Sequence, residues 1–333
     1  MQRYPRIFLQ SKNNIAKRLA SEDFPYKDSL ATINDVLKNF DGYWYDSKRS
    51  KPNEGKYVRG AAKSPGLRKI LSLINEKILK PHDNMVPNFI FGGISKKNNI
   101  QADRRLLGKE RGRTLLKLDI KSFFEQISEQ RVFYLFYKKC GCSVRASRIL
   151  ASLCCVPHGA KGSISSEKIL ARGFATSSRL ALWCNLDTFQ HLDWKIKQKL
   201  NGHDPMIAIY VDDIGITASR VDDSLMEDTK QFAIKILEEK DKNQKLPVHR
   251  DGKTKITRFA DGAEHLGIKL GRNRLSLGWK ARSNIDKAKL AVKKSQTPEE
   301  KFDLIKKYRA HQIYKRQVEK SIDGASIIRK TVL

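Results

Sequence analysis

The sequence predicts an α+β fold, and three observations carry that prediction. Strand-like and helix-like apolar segments are interspersed along the chain without regular βαβ order. No Gly-rich phosphate loop follows a strand, which argues against a dinucleotide-binding fold. The 333 residues are 40% hydrophobic, enough for a sizeable core in about two domains or one large domain with subdomains.

The elements follow in order. Residues 1 to about 45 read as helical, with a loop around Gly42 and Tyr43. "LRKILSLINEKILK", residues 67–80, places Leu67, Ile70, Leu71, Ile74, Ile78 and Leu79 at helical spacing, and Pro81 is expected to stop the helix. "TLLKLDI", 114–120, reads as a strand. "EQRVFYLFYKKCG" reads as a helix ending at Gly141, and "RASRILASLCCV" as another before Pro157. Residues 157–166 read as a Gly- and Ser-rich loop, and "FATSSRLALWCNLDTFQHLDWKIKQKL" as one long helix. A hairpin around Asp212 and Asp213 comes next, then an amphipathic helix from Asp223 to Lys240. "KITRF" and "AEHLGIKLG" read as short strands. The last helix starts at Thr297 as N-cap, with Pro298 at N1 and Glu300 completing a capping box.

A net charge of +30 predicts a polyanionic partner, nucleic acid first and an acidic membrane second. No apolar run reaches the ~18 residues of a membrane-spanning helix. No long apolar region stands behind Met1, so no secretory signal is expected and the chain reads as cytoplasmic. Cys140, Cys142, Cys154, Cys155 and Cys184 are an odd set in such a chain and read as free structural thiols. Their spacing fits a zinc site poorly.

"MIAIYVDDIGIT", residues 206–217, sets two carboxylates inside an apolar run. Adjacent residues on a flat strand face opposite ways, so neighbouring aspartates share one site only where the chain turns. Two carboxylates ~4 Å apart repel by roughly 4 kcal/mol at an effective dielectric of ~20. A hard cation relieves that repulsion. Asp119 closes another apolar strand, in "LLKLDIKSFFEQI". Strand-end aspartates of this kind suit a pair of metals serving an in-line phosphoryl displacement.

Four features in order now resemble a reverse transcriptase: "LDIKSFFEQI", "ARGFATSSRLALWCN", "IYVDDIGI" and "KTKITRFADGAEHLGIKL". The front of the chain, "KYVRGAAKSPGLRKILSLINEKIL" and "FIFGGISKKNNIQADRRLL", is similar to the fingers of bacterial retron-type enzymes. The resemblance implies a right-hand polymerase with fingers, a palm whose antiparallel sheet packs on helices, and a short thumb. It divides the chain into an N-terminal helical extension (1–45), fingers (46–118), palm (119–275, with a fingers insertion at about 130–170) and a basic helical thumb (276–333). Lys301, Lys306, Lys307, Arg309, Lys315, Arg316 and Lys320 make that thumb suited to a primer–template duplex.

It also implies roles for residues. Asp119, Asp212 and Asp213, with Ile120, would hold Mg²⁺, for which Mn²⁺ can substitute. Lys253, rather than Lys255, would protonate pyrophosphate. Lys56 and Arg59 would grip the incoming triphosphate. Phe124 would lie under the sugar and exclude a 2′-hydroxyl, with Phe123 in the core. Arg172, Gly173 and Thr176, beside Ser177, would border the nucleotide and template. RNA template, DNA product and deoxynucleoside triphosphates follow as partners. A structured non-coding RNA, an accessory effector protein and a role in antiphage defence follow from the bacterial subgroup.

The match departs from the family in places. Arg172 stands where glutamine is usual, Ser178 replaces proline, and the loop "PHGAKGSISSEKIL" looks longer than usual. The Val-Thr-Gly segment of standard retron enzymes is missing, and the sequence shows no maturase or ribonuclease H segment after the thumb. A template-independent or protein-primed DNA polymerase on the same fold is the alternative, and a catalytically silent nucleic-acid-binding scaffold the other. The gate assignment makes one prediction: Phe124→Ala should admit ribonucleotides, and an unchanged preference for deoxynucleotides in single-nucleotide incorporation would refute it.

Overall fold

The computed structural model describes residues 4–62, 66–295 and 297–320. The N-terminal apolar spacing folds as helices α1 (Lys12–Leu19) and α2 (Tyr26–Lys38), and the Ser11 hydroxyl caps α1 by accepting from the Asn14 amide. A ribbon of β1 (Trp44–Asp46) and β2 (Arg59–Ala61) follows. Lys63, Ser64 and Pro65 of the quoted "KYVRGAAKSPGLRKILSLINEKIL" stretch lie outside the described residues. Helix α3 (Leu67–Leu73) runs on as a π-helical segment to Leu79. Pro81 does not stop the chain dead: it sits in the first turn of a 3-10 segment, Lys80–Met85, where its missing N–H costs nothing.

Helix α4 (Asn99–Leu106) opens with a reciprocal capping box between Asn98 and Gln101. Strand β3 (Arg113–Asp119) is the expected one. Helix α5 (Glu129–Tyr134) continues as a π turn to Lys139, and Gly141 at φ 72° closes it. Helix α6 (Val144–Cys154) ends two residues earlier than its apolar run. Cys155 and Val156 belong instead to β4 (Cys155–Pro157), paired with β5 (Lys168–Leu170) across the Gly/Ser-rich loop. The long helix expected after Phe174 is two, α7 (Ser177–Cys184) and α8 (Leu186–Lys199). The break is Asn185, whose side-chain amide donates to the Ala181 carbonyl and so competes with the helix ladder.

Strands β6 (Met206–Tyr210) and β7 (Asp213–Ser219) form the hairpin, followed by α9 (Asp223–Glu239) and β8 (Lys255–Arg258). A second sheet comprises β9 (Glu264–His265), β10 (Ile268–Gly271) and β11 (Arg274–Leu277). Two helices then end the described chain, α10 (Trp279–Lys294) and α11 (Pro298–Glu319). The Thr297 hydroxyl accepts from the Glu300 amide, one half of the expected capping box. The sequence reading did not identify β11, which straddles its palm–thumb boundary, or α10 as elements.

The central sheet is antiparallel with order β6-β7-β3-β8. Strand periodicity gives it two unlike faces. Leu116, Leu118, Ile207, Ile209, Ile214 and Ile216 enter the main core with α8 and α9, and that core also takes in α1, α2, α3 and α6. The opposite face is built from smaller or polar side chains, among them Ala208, Gly215 and Thr217, and α4 lies close against it. The Thr217 hydroxyl donates to the Leu106 carbonyl at 2.7 Å, and Arg105 Nε to the Ile207 carbonyl at 2.8 Å. This second core joins Leu106, Leu115 and Ala208 to the β9–β11 sheet, to Ile285 of α10 and to Val318 of α11.

A buried pair pins α4 to β9: Asp103 Oδ1 lies 2.5 Å from His265 Nδ1, and both side chains are fully buried. Burial pushes the Asp103 carboxyl up to about 6, against the pull of the His265 bond. The five cysteines are buried free thiols, and burial pushes Cys154 and Cys184 up to about 12. Thiols of that kind are inert structural groups.

Gly215 is where α4 meets the sheet most closely. A Cβ there would stand 2.6 Å from Leu106 Cδ1 and 3.2 Å from His265 Nε2. Gly215→Ala should therefore destabilise the fold by about 1–3 kcal/mol through overpacking, read as a lower denaturant midpoint at unchanged slope.

Candidate active site

The carboxylates gather where β3 ends and the hairpin turns. Asp119, the last residue of β3, is the cross-strand partner of Asp213, the first of β7. The turn itself is Val211 and Asp212, because Tyr210 pairs with Asp213. This corrects the expectation that both aspartates occupy the turn: Asp213 is already in the strand. Val211 takes φ 60°, strained for a β-branched residue, and its hairpin is held by the Ile120 amide donating to the Asp212 carbonyl at 2.9 Å. Ser122 is also left-handed, at φ 50°. On the other side of β3 the chain at 247–249 completes the frame. The Lys121 amide donates to the Pro247 carbonyl, and the His249 amide to the Asp119 carbonyl.

Two lysines and a histidine surround this cluster. Lys253 Nζ lies 3.1 Å from Asp119 Oδ1, Lys117 Nζ 3.4 Å from Asp213 Oδ1, and His249 Nε2 3.5 Å from Asp119 Oδ1. Among the described residues, Asp212 has no such partner at contact. Burial first, then Asp213 and Asp119, push its carboxyl up, and Arg172 pulls weakly the other way. The three carboxylates are donors of the kind a hard cation takes, and Asp212 carries the uncompensated charge that such a cation would relieve. Among the described residues, no three His, Cys, Asp or Glu side chains are drawn into a ready metal cage. Ile120 brings only its backbone, since its side chain is in the core.

The sequence reading missed His249. It lies in a polar run, "LPVHRDGK", with no periodic signal, and only the pairing of 247–249 with β3 places it at the site. Burial and then Lys253 hold its imidazole below the usual range, and Lys56 and Lys121 add to that. Lys56 Nζ is held by Glu54 at 2.9 Å. Between the two candidate lysines, Lys253 reaches Asp119, while Lys255 lies exposed on β8 opposite Lys117.

Phe123 is fully buried against Phe189, and Phe124 lies beside it with a rim exposed. Arg172 stands over the Phe124 ring with Cζ 5.2 Å from its centroid, and is tied at both edges to Glu125, Nε to Oε1 at 2.9 Å and Nη2 to Oε2 at 2.8 Å. Gly173, at φ 103°, lets this segment meet β2, since a Cβ there would lie 2.7 Å from the Arg59 carbonyl oxygen.

Two expected nucleotide contacts are not brought to the cleft. The Arg59 guanidinium is buried in an ion pair with Asp46, donates to the Gly159 carbonyl, and lies over the Trp44 and Tyr57 rings. Its two terminal nitrogens are engaged in joining β2 to β1 and to the 157–159 loop. Thr176 is fully buried, with its hydroxyl 3.4 Å from Cys154 Sγ, so it shapes the start of α7 from inside.

An antiparallel sheet ending in convergent carboxylates defines the palm of a nucleotidyl-transferring polymerase. Residues 51–270 match the family model for reverse transcriptase (RNA-dependent DNA polymerase), a span holding every site residue above except Trp44 and Asp46. The chain belongs to the reverse transcriptase family: it is a nucleotidyltransferase of right-hand polymerase fold, an RNA-directed DNA polymerase. Comparison with curated proteins finds no match. No helix among the described residues is long and apolar enough to cross a membrane.

The Asp212 turn leans on Gly92. A Cβ there would lie 2.5 Å from Val211 Cγ2 and 2.6 Å from the Val211 amide nitrogen. Gly92→Ala should displace the turn and lower nucleotide incorporation about a hundredfold while circular dichroism stays that of the parent.

Proposed function

We propose that the chain extends a 3′-hydroxyl with deoxynucleotides by two-metal catalysis at Asp119, Asp212 and Asp213, copying a structured non-coding RNA. The observation that carries this reading is the cross-strand pairing of Asp119 with Asp213 beside the strained turn that holds Asp212. Mg²⁺, or Mn²⁺ in its place, held by these carboxylates and the Ile120 carbonyl, would lower the pKa of the attacking hydroxyl and steady the leaving pyrophosphate. Lys253 is the group that hands a proton to pyrophosphate, and its position 3.1 Å from Asp119 supports that role. Lys56 and Lys121, both felt at His249, contribute positive field for the triphosphate. Phe124 meets the sugar.

In this reading the chain divides into N-terminal extension, fingers, palm and thumb, with α10 and α11 as a basic thumb over the duplex. The thumb and palm share the second core, which would let the thumb position the primer relative to the hairpin. The net charge of +30 suits a large RNA partner bound through phosphate contacts and shape. The resemblance to bacterial retron and defence-associated enzymes extends the proposal to antiphage defence in the cytoplasm and to an accessory effector protein. Arg172 is neutralised by Glu125 and does not block the carboxylates, so its presence gives untemplated synthesis no particular support.

The test is incorporation of labelled deoxynucleotides, singly and together, by protein purified with its retained nucleic acid in Mg²⁺, beside an Asp212→Ala, Asp213→Ala control. Product that needs all four nucleotides, is abolished by prior ribonuclease treatment and falls at least a thousandfold in the control is expected. Product from one or two nucleotides would favour the template-independent alternative. No product above the control, even with a primed RNA template, would leave the scaffold reading.

A further inference from the structure

We infer that Glu125 and Arg172 act as one device that fixes the Phe124 ring and so sets discrimination between deoxy- and ribonucleotides; the inference rests on the reading of Phe124 as the sugar gate. Three observations carry it. The pair is bidentate, with both contacts at 2.8–2.9 Å, and both side chains are largely shielded from water. A planar fork gripped at two points has one orientation, unlike a single contact to a point charge. That fixed plane lies 5.2 Å over the centroid of Phe124, while Phe123 meets the same ring edge-on at 5.7 Å and 63°. The ring is thus held on one side by the core and on another by an ion pair. Finally, the Arg172 carbonyl accepts from the Arg59 amide at 2.6 Å, so the device is anchored in the fingers–palm joint rather than on a free loop.

Glu125 directly follows the gate residue in sequence, so the same turn that presents Phe124 presents the carboxylate that holds Arg172. A glutamine at 172 could not reproduce this arrangement, because it has neither the charge nor the fork. The arginine is therefore a matched replacement: its charge is cancelled locally by Glu125, and its length is used to reach the ring. Glu125 is a positioning residue, acting on the sugar only through Arg172 and Phe124.

The experiment measures the ratio of kcat/KM for a deoxynucleotide to that for its ribonucleotide, on a primed RNA template, in the parent, Phe124→Ala, Glu125→Gln, Arg172→Gln and the Glu125→Gln, Arg172→Gln double variant. The ratio should fall about tenfold in each single variant of the pair, and the double variant should fall no further than the singles, as for residues that act as a unit. Thermal melting of each variant separates this from loss of fold. If Glu125→Gln does not fold, Arg172→Lys, which keeps the charge without the fork, must give the same tenfold fall. A ratio within twofold of the parent in the pair variants, with Phe124→Ala still relaxed, overturns the inference and leaves the gate standing. Effects that multiply in the double variant also overturn it. An unchanged ratio in Phe124→Ala, or no incorporation by the parent, removes the gate reading itself and this inference with it.

Discussion

Like charges set opposite one another across two strands are the constraint on which this molecule turns. Asp119 and Asp213 are direct cross-strand partners, an arrangement that destabilises a sheet unless something offsets it. Asp212 adds a third carboxylate in the adjoining turn. The offset comes from Lys117 on Asp213 and Lys253 on Asp119, both within contact distance, while Asp212 is left to burial and repulsion. A sheet end of this kind is stable only when the rest of the sheet is firmly held, and the apolar face of β3, β6 and β7 is among the most deeply buried surfaces of the chain.

The holding extends to the other face. Small residues there, Ala208 and Gly215, admit α4, and α4 in turn carries Asp103 to His265 of the second sheet. Because α10 and α11 pack into the same second core, they are connected to the β6–β7 hairpin by a continuous packed path. The strain at Val211 is tolerated because Gly92 and the Ile120–Asp212 hydrogen bond fix the turn from two sides.

How much of this was legible follows from the kind of signal each part leaves. The strands of the sheet, the hairpin and the three aspartates were readable because apolar runs interrupted by a carboxylate are local patterns. The turn was misplaced by one residue because nothing local distinguishes Val211-Asp212 from Asp212-Asp213; the register with β3 decides it. The break at Asn185 was masked by unbroken apolar spacing on either side, and it depends on one side chain competing with the backbone. His249 and Glu125 were missed because their importance is set by partners far away in sequence, 134 residues from Lys253 to Asp119 being the comparable case where a motif helped. Arg59 was assigned to a phosphate because a basic residue at the fingers suggests one, yet its carboxylate partner Asp46 looks like any loop aspartate.

Arg59 is one of a group, and the group explains how a chain this basic keeps its charge where an anion can use it. Arg59 pairs with Asp46, Arg113 with Asp204, Arg172 with Glu125 and Arg179 with Asp83, each arginine buried or largely so. A guanidinium is weakly hydrated and forked, which makes it the cation best suited to a shielded carboxylate. Such a pair is costly to break, about 3–5 kcal/mol when one partner is removed, because the other charge is left stranded. Buried arginines therefore serve to join segments: β1 to β2 and the 159 loop, β3 to the 204 turn, α7 to the 83–95 segment. Lysines do the opposite. Lys253, Lys56 and Lys117 keep flexible stems and partial exposure around the carboxylates. Positive charge beside the carboxylates thus comes from side chains that keep freedom to move. The division of labour follows from hydration and shape: the buried cations that join segments are arginines, and the partly exposed cations around the carboxylates are lysines.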